Sequence, residues 1–226
     1  MKKKLIHLYQ LDSLRVLAIL GVVVIHVVTN EVGPGMGEYS TMEWLIREIF
    51  VLSFRWVVPV FVMISGALIL GSTQKISYGS FITKRLSKIG IPLLAWSVLY
   101  FVFFNLTGSS LSIEDQLRRT FVDGYPAYHL YFVYIILGLY VVSPILKSIV
   151  RSAHAWPVTI GLLIGSSLWS VWTVGINQQW HFSGLNAATF WIPFSGYFML
   201  GFLLNQRFTT ASIKRWGVLG GISLVL

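Results

Sequence analysis

Leu14-Arg15-Val16-Leu17-Ala18-Ile19-Leu20-Gly21-Val22-Val23-Val24-Ile25-His26-Val27-Val28 is an apolar run interrupted by one arginine and one histidine. Lys2, Lys3 and Lys4 precede it, as in a signal peptide. Thr29, Asn30 and Glu31 follow where a small-residue cleavage site would stand, so the run reads as a retained membrane span over about 14–29. A spanning helix needs roughly 20 mostly apolar residues, and such stretches recur at about 52–71, 89–106, 129–147, 156–174 and 190–205. The expected fold is all-α: a polytopic transmembrane helical bundle with six complete spans. A seventh starts near Trp216 and stops at Leu226 after about 11 apolar residues, which would rise only ~16 Å, so the chain reads as part of a larger bundle.

Composition agrees. Of 226 residues, 55% are hydrophobic and 11% charged, with a mean hydropathy of +0.73, which leaves no room for a separate soluble domain. Residues 1–226 are therefore expected to form one integral membrane domain. A formal charge of +9 would suit nucleic acid, but the charges sort by loop. When alternate connections are compared, only Arg47, Arg55, Arg118 and Arg119 fall on one side; every other Lys and Arg lies on the side of the N-terminus. The acidic residues are distributed the opposite way, with Asp12 alone on the N-terminal side. Because Lys and Arg collect on the cytoplasmic side of short loops, the N-terminus is expected inside and the protein in the plasma membrane, with no nucleic-acid partner. The absence of cysteine excludes disulfides, thiolate catalysis and Cys-ligated metals, and no metal site is expected. From Thr41 to Phe54, charged Glu43, Arg47 and Glu48 alternate with Trp44, Leu45, Ile49 and Phe50, a spacing that predicts an amphipathic helix lying on the outer surface.

Three features carry chemistry. The first is Leu11-Asp12-Ser13-Leu14-Arg15, followed ten residues later by His26. An eleven-residue step turns a helix through ~1100°, within ~20° of three full turns, and rises ~16 Å. Arg15 and His26 are thus predicted to share a face, with Arg15 near the cytoplasmic mouth and His26 near mid-membrane. Asp12 lies three residues before Arg15 and can pair with it. An ionisable group at that depth faces a bundle interior or a wet cavity, which makes His26 a candidate base; a neutral imidazole satisfied by a neighbouring helix, or a proton relay, would fit as well. The second feature is Lys84-Arg85-Leu86-Ser87-Lys88, where Arg85 and Lys88, one turn apart, could reach phosphates of a cytosolic ligand or serve only as inner-side anchors. The third is Tyr128-His129-Leu130-Tyr131-Phe132, where an imidazole among tyrosines could bind a sugar hydroxyl or simply belong to an aromatic belt.

Taken in order, the Leu-Asp-Ser-Leu-Arg motif with its histidine, Val58-Pro59-Val60-Phe61-Val62-Met63-Ile64-Ser65-Gly66, and Tyr128-His129-Leu130-Tyr131-Phe132 running on to Gly138-Leu139-Tyr140 and Ser143-Pro144 resemble acyltransferase family 3. The resemblance is nearest to the stand-alone O-acetyltransferases of surface polysaccharides. It implies about ten spans, acetyl-coenzyme A or another acyl-coenzyme A as donor, and a hydroxyl of a cell-surface glycan or glycolipid as acceptor. The family's motif histidine and arginine correspond to His26 and Arg15. Members often carry Arg-x-x-Arg at the inner end of the third span; here the second position is Lys88, which keeps the charge and loses the bidentate fork.

These readings combine into one expectation. His26 acts as general base on the acceptor hydroxyl, Asp12 and Arg15 organise the inner end of the cavity, Arg15, Arg85 and Lys88 hold the phosphates of the donor, and His129 and Tyr128 bind the acceptor. Two other classes fit the same features: a transporter using His26 and Arg15 as a proton or anion path, and a non-catalytic remnant of the enzyme.

Overall fold

The computed structural model of the chain describes residues 2–30, 41–72, 77–108, 112–124, 126–176 and 185–207. Among the described residues there is no strand. α1 (Lys2–Asn30) is followed by α2 (Thr41–Phe54) and α3 (Val57–Leu70). α4 (Tyr78–Leu106) leads to the short α5 (Ile113–Arg118), and then come α6 (Tyr131–Ile149), α7 (Ala155–Ser170) and α8 (Ser195–Arg207). Four helical stretches are long and apolar enough to cross a membrane: Leu52–Leu70, Tyr78–Leu106, Tyr131–Ile149 and Ala155–Thr173. These four correspond to the expected spans at 52–71, 89–106, 129–147 and 156–174, and the run at 14–29 lies within the 29-residue α1; the count of six is not confirmed among the described residues. In the run at 190–205 a 3₁₀ turn, Ile192–Phe194, delays the helix to Ser195. α8 is described over 13 residues, Ser195–Arg207. The seventh run, from Trp216, lies outside the described residues.

Proline placement explains where the helices break or bend. Pro59 cannot donate to the carbonyl four residues back, that of Arg55, and its ring crowds that carbonyl. The chain accordingly turns at Arg55–Trp56 between α2 and α3, and the helix resumes with Val60 N donating to Trp56 O at 3.0 Å. The expected continuous span 52–71 is thus two helices in line, and the predicted surface helix Thr41–Phe54 is the first of them. In α6, Pro144 withdraws the backbone donor from the Tyr140 carbonyl, and the Ser143 hydroxyl donates there instead at 2.7 Å. The next carbonyl, that of Val141, accepts from the Tyr78 hydroxyl at 2.6 Å, which ties the start of α4 to this bend. The Ser77 side chain caps α4 by accepting from Ser80 N, so the helix starts at Tyr78, well before the expected 89, and carries Lys84 to Lys88 within it.

The core lies between α3, α6 and α8, where Val62, Leu70, Ile135, Leu139, Phe198, Met199 and Phe202 are buried together with Phe190. α3 and α8 meet backbone to backbone. A Cβ on Gly66 would sit inside the Phe198 carbonyl, and one on Gly201 inside the Met63 carbonyl. α1 packs on α3 through Ala18 and Gly21, the latter against Val57. α4 and α7 turn most of their apolar side chains outward, including Ile91, Leu94, Val98, Leu99, Ile160, Ile164 and Leu168. Water penalises such a surface and hydrocarbon does not, which agrees with membrane-crossing helices.

Candidate active site

Three polar side chains from three helices meet at one end of the bundle. His26 lies one turn before the end of α1, Tyr100 near the end of α4, and His129 in the 3₁₀ turn Tyr128–Leu130 that opens α6. The Tyr100 hydroxyl and His129 Nε2 are hydrogen-bonded at 3.2 Å, with the rings edge to face at 5.4 Å between centroids. The rings of His26 and His129 lie 5.9 Å apart. Phe104 stacks on Tyr100 at 5.9 Å, which fixes the phenol against α4. Around this cluster Tyr134 donates to the Thr120 carbonyl at 2.6 Å, and Asn105 donates to Gln116 at 3.1 Å, so α5 and the turn after it are held over α4 and α6. His129 stands outside the Tyr131–Ile149 span, and partial burial pushes its imidazole below the usual histidine range.

A second, cationic group lies further along the same seam. Arg15 forms an ion pair with Asp12 at 2.8 Å, one turn apart on α1. Arg85 of α4 lays its guanidinium against two rings, at 5.6 Å from the Phe81 centroid and 5.5 Å from that of Tyr140. Arg85 thus stands against the buried Tyr140, midway along α6. Measured as helical rise, the step along α1 from Arg15 to His26 and the step along α6 from Tyr140 to His129 are each ~16 Å. The seam thus presents imidazoles at one level and guanidiniums at another.

A family model described as an acyltransferase domain matches residues 8–226, which is nearly the whole chain. The chain belongs to acyltransferase family 3. No curated protein and no solved structure matches it. The family match covers both levels of the seam, from Asp12 through His129 to Tyr140.

Within this family member, the residues singled out from sequence divide unevenly. His26 and His129, 103 positions apart in the chain, come together; sequence placed the first on a membrane helix and the second at an aromatic belt. The depth expected for His26 is corrected. Its ring stands beside His129, just ahead of the span Tyr131–Ile149, and therefore at the end of that span and not at its middle. Asp12 pairs with Arg15 as expected from their spacing. Lys88 is exposed on α4 one turn beyond Arg85. Tyr128 opens the 3₁₀ turn, and its side chain lies outside what is described. Sequence reading does not single out Tyr100, which is one aromatic among Trp96, Tyr100, Phe101, Phe103 and Phe104. Nor does it assign a site role to Tyr140. A buried phenol against a guanidinium is legible only once α4 and α6 are packed.

Proposed function

We propose that the protein is a membrane-bound O-acyltransferase that moves an acyl group, most simply acetyl, from acyl-coenzyme A to a hydroxyl of a cell-surface glycan or glycolipid. The observation that carries this reading is the two-level seam: an imidazole pair with a bound phenol at one end, and at the other Arg85 against Tyr140 on α6 and Arg15 ~16 Å from His26 along α1. An acyl thioester of coenzyme A has the same two ends, phosphates at one and the reacting carbonyl at the other, joined by a long flexible arm. Arg85 and Lys88 are exposed one turn apart on α4, and Arg15 is half-buried against the same seam, so the cationic level fits a phosphate-bearing donor.

In this reading His26 takes the proton of the acceptor hydroxyl as its oxygen attacks the thioester carbonyl. An ester forms, the carbon–sulfur bond breaks, and the proton passes to the departing thiolate. His129, held by Tyr100, binds the acceptor together with Tyr128, and Asp12 holds Arg15 in place. With positive charge gathered on one side of the loops, the N-terminus faces the cytosol in the plasma membrane; the donor then enters at the arginine level and the acceptor at the histidine level. The test is the thermal midpoint of the detergent-purified protein with and without acetyl-coenzyme A, for wild type and Arg85→Ala. A ligand that binds the folded state raises the midpoint. The reading predicts a rise in wild type and a smaller one in the variant; an equal rise in both would remove Arg85 from the donor site.

A further inference from the structure

A separate cleft of about 200 Å³ opens where α3 ends and α4 begins, walled by α3, α4 and α6. Ile69, Phe81 and Pro144 give it apolar walls, and Lys147 stands at its polar side with Ser72 and Tyr78. The Lys147 ammonium donates to the Ser72 carbonyl at 2.7 Å, which uses one of its three donors and pins the side chain across the cleft. Arg151, one turn further on, adds a second positive charge that acts on Lys147. The Tyr78 hydroxyl donates to the Val141 carbonyl, so towards a ligand it presents an acceptor. Lys147 is two residues from the end of the Tyr131–Ile149 span, a position that falls at headgroup depth.

A lysine that only anchors a helix snorkels into water. This one is instead held by Ser72 across a cleft with apolar walls on its other side, at the level where lipid phosphates lie. We propose that the cleft binds an anionic glycerophospholipid, with the phosphodiester on the Lys147 ammonium and the first part of an acyl chain along Ile69, Phe81 and Pro144. Phe81 is shared with the cationic level of the seam, where it lies under Arg85, but the charge that defines this cleft, Lys147, has no part in the transfer reaction, so the site stands whether or not that reaction is the right one.

The test is the thermal midpoint of purified protein in neutral detergent, titrated with phosphatidylglycerol or with phosphatidylcholine of the same chains. Wild type and Lys147→Arg should be stabilised by phosphatidylglycerol well beyond phosphatidylcholine. In Lys147→Met the half-saturating phosphatidylglycerol concentration should rise about fivefold, the weight of one basic side chain at an anionic headgroup. Pro144→Trp, at an exposed wall residue, narrows the cleft without touching the charge and should lose the same preference, which keeps the test open if Lys147→Met does not fold. Equal stabilisation of wild type by both lipids, or an unchanged titration in Lys147→Met and Pro144→Trp, would overturn the proposal. Inorganic phosphate reproducing the phosphatidylglycerol shift, or acetyl-coenzyme A displacing the lipid, would also overturn it, by giving the cleft to a soluble phosphate.

Discussion

Replacing Gly66 by alanine tests the α3–α8 contact on which the core rests. The added Cβ would lie inside the Phe198 carbonyl, with the Phe198 Cα also in its path. Backbone cannot move aside as a flexible side chain does, so the two helices must part along a seam that also runs through Gly201 and the Met63 carbonyl. Overpacking of a tight interior costs about 1–3 kcal/mol, and a backbone obstacle on both helices places Gly66→Ala at the upper end. For a chain of this size each 1 kcal/mol lowers the midpoint by roughly 2–4 °C, so the expected drop is about 6–12 °C. Gly165 in α7 is the control, since a Cβ there meets nothing within 4 Å. Alanine favours a helix interior over glycine by about 1 kcal/mol, so Gly165→Ala should leave the midpoint unchanged or raise it by about 2–4 °C. The assay is thermal unfolding of both variants in one detergent, followed by intrinsic tryptophan fluorescence. Equal midpoints for Gly66→Ala and Gly165→Ala would refute the close helix contact.

Further expectations follow from single side chains. Tyr100→Phe removes the hydroxyl bound to His129 and should lower acyl transfer about tenfold, the weight of ~1.4 kcal/mol in a barrier, while the midpoint falls by only a few degrees; unchanged transfer would detach Tyr100 from the site. Ser143→Ala should cost about 1–2 kcal/mol by leaving the Tyr140 carbonyl without its donor, and much less in a Pro144→Ala background, where a backbone N–H returns; additive effects in the double variant would contradict this. Burial lowers the His129 pKa, so between the lowered value and the ordinary one near 6.5 the unfolded chain binds more protons, and stability should fall as pH drops below about 6.5. His129→Gln should flatten that slope, as read from midpoints between about pH 7.5 and pH 5.5.

Much of this architecture is written locally in the chain. Apolar runs give helices at nearly every expected place, and the expected amphipathic segment Thr41–Phe54 is α2 to the residue. The break after it was also legible in principle, since Pro59 points to the Arg55 carbonyl as the bond that must be lost. Ion-pair spacing within one helix gave Asp12 with Arg15. The unread part is what depends on packing between helices. Tyr100 meets a partner 29 positions away, and nothing in an aromatic-rich segment distinguishes it from its neighbours. Arg85 resembles any inner-side basic residue until α6 brings Tyr140 beneath it. The level of His26 depended on where Arg15 sits, and helical rise alone gives distances along α1 without fixing how α1 slides against α6. Gly66 and Ser143 read as features of short motifs; their reasons, a helix crossing and a proline-orphaned carbonyl, appear only in the packed structure.

Proton transfer by His26 during acyl transfer is the step on which the proposed function turns. It is tested most directly by giving labelled acetyl-coenzyme A to membranes holding wild-type protein or His26→Ala at matched amounts, and measuring label in alkali-labile ester. Wild type should incorporate label and His26→Ala should not, while the variant's thermal midpoint is still raised by acetyl-coenzyme A because the arginine level is intact. Incorporation by His26→Ala at the wild-type rate would contradict it.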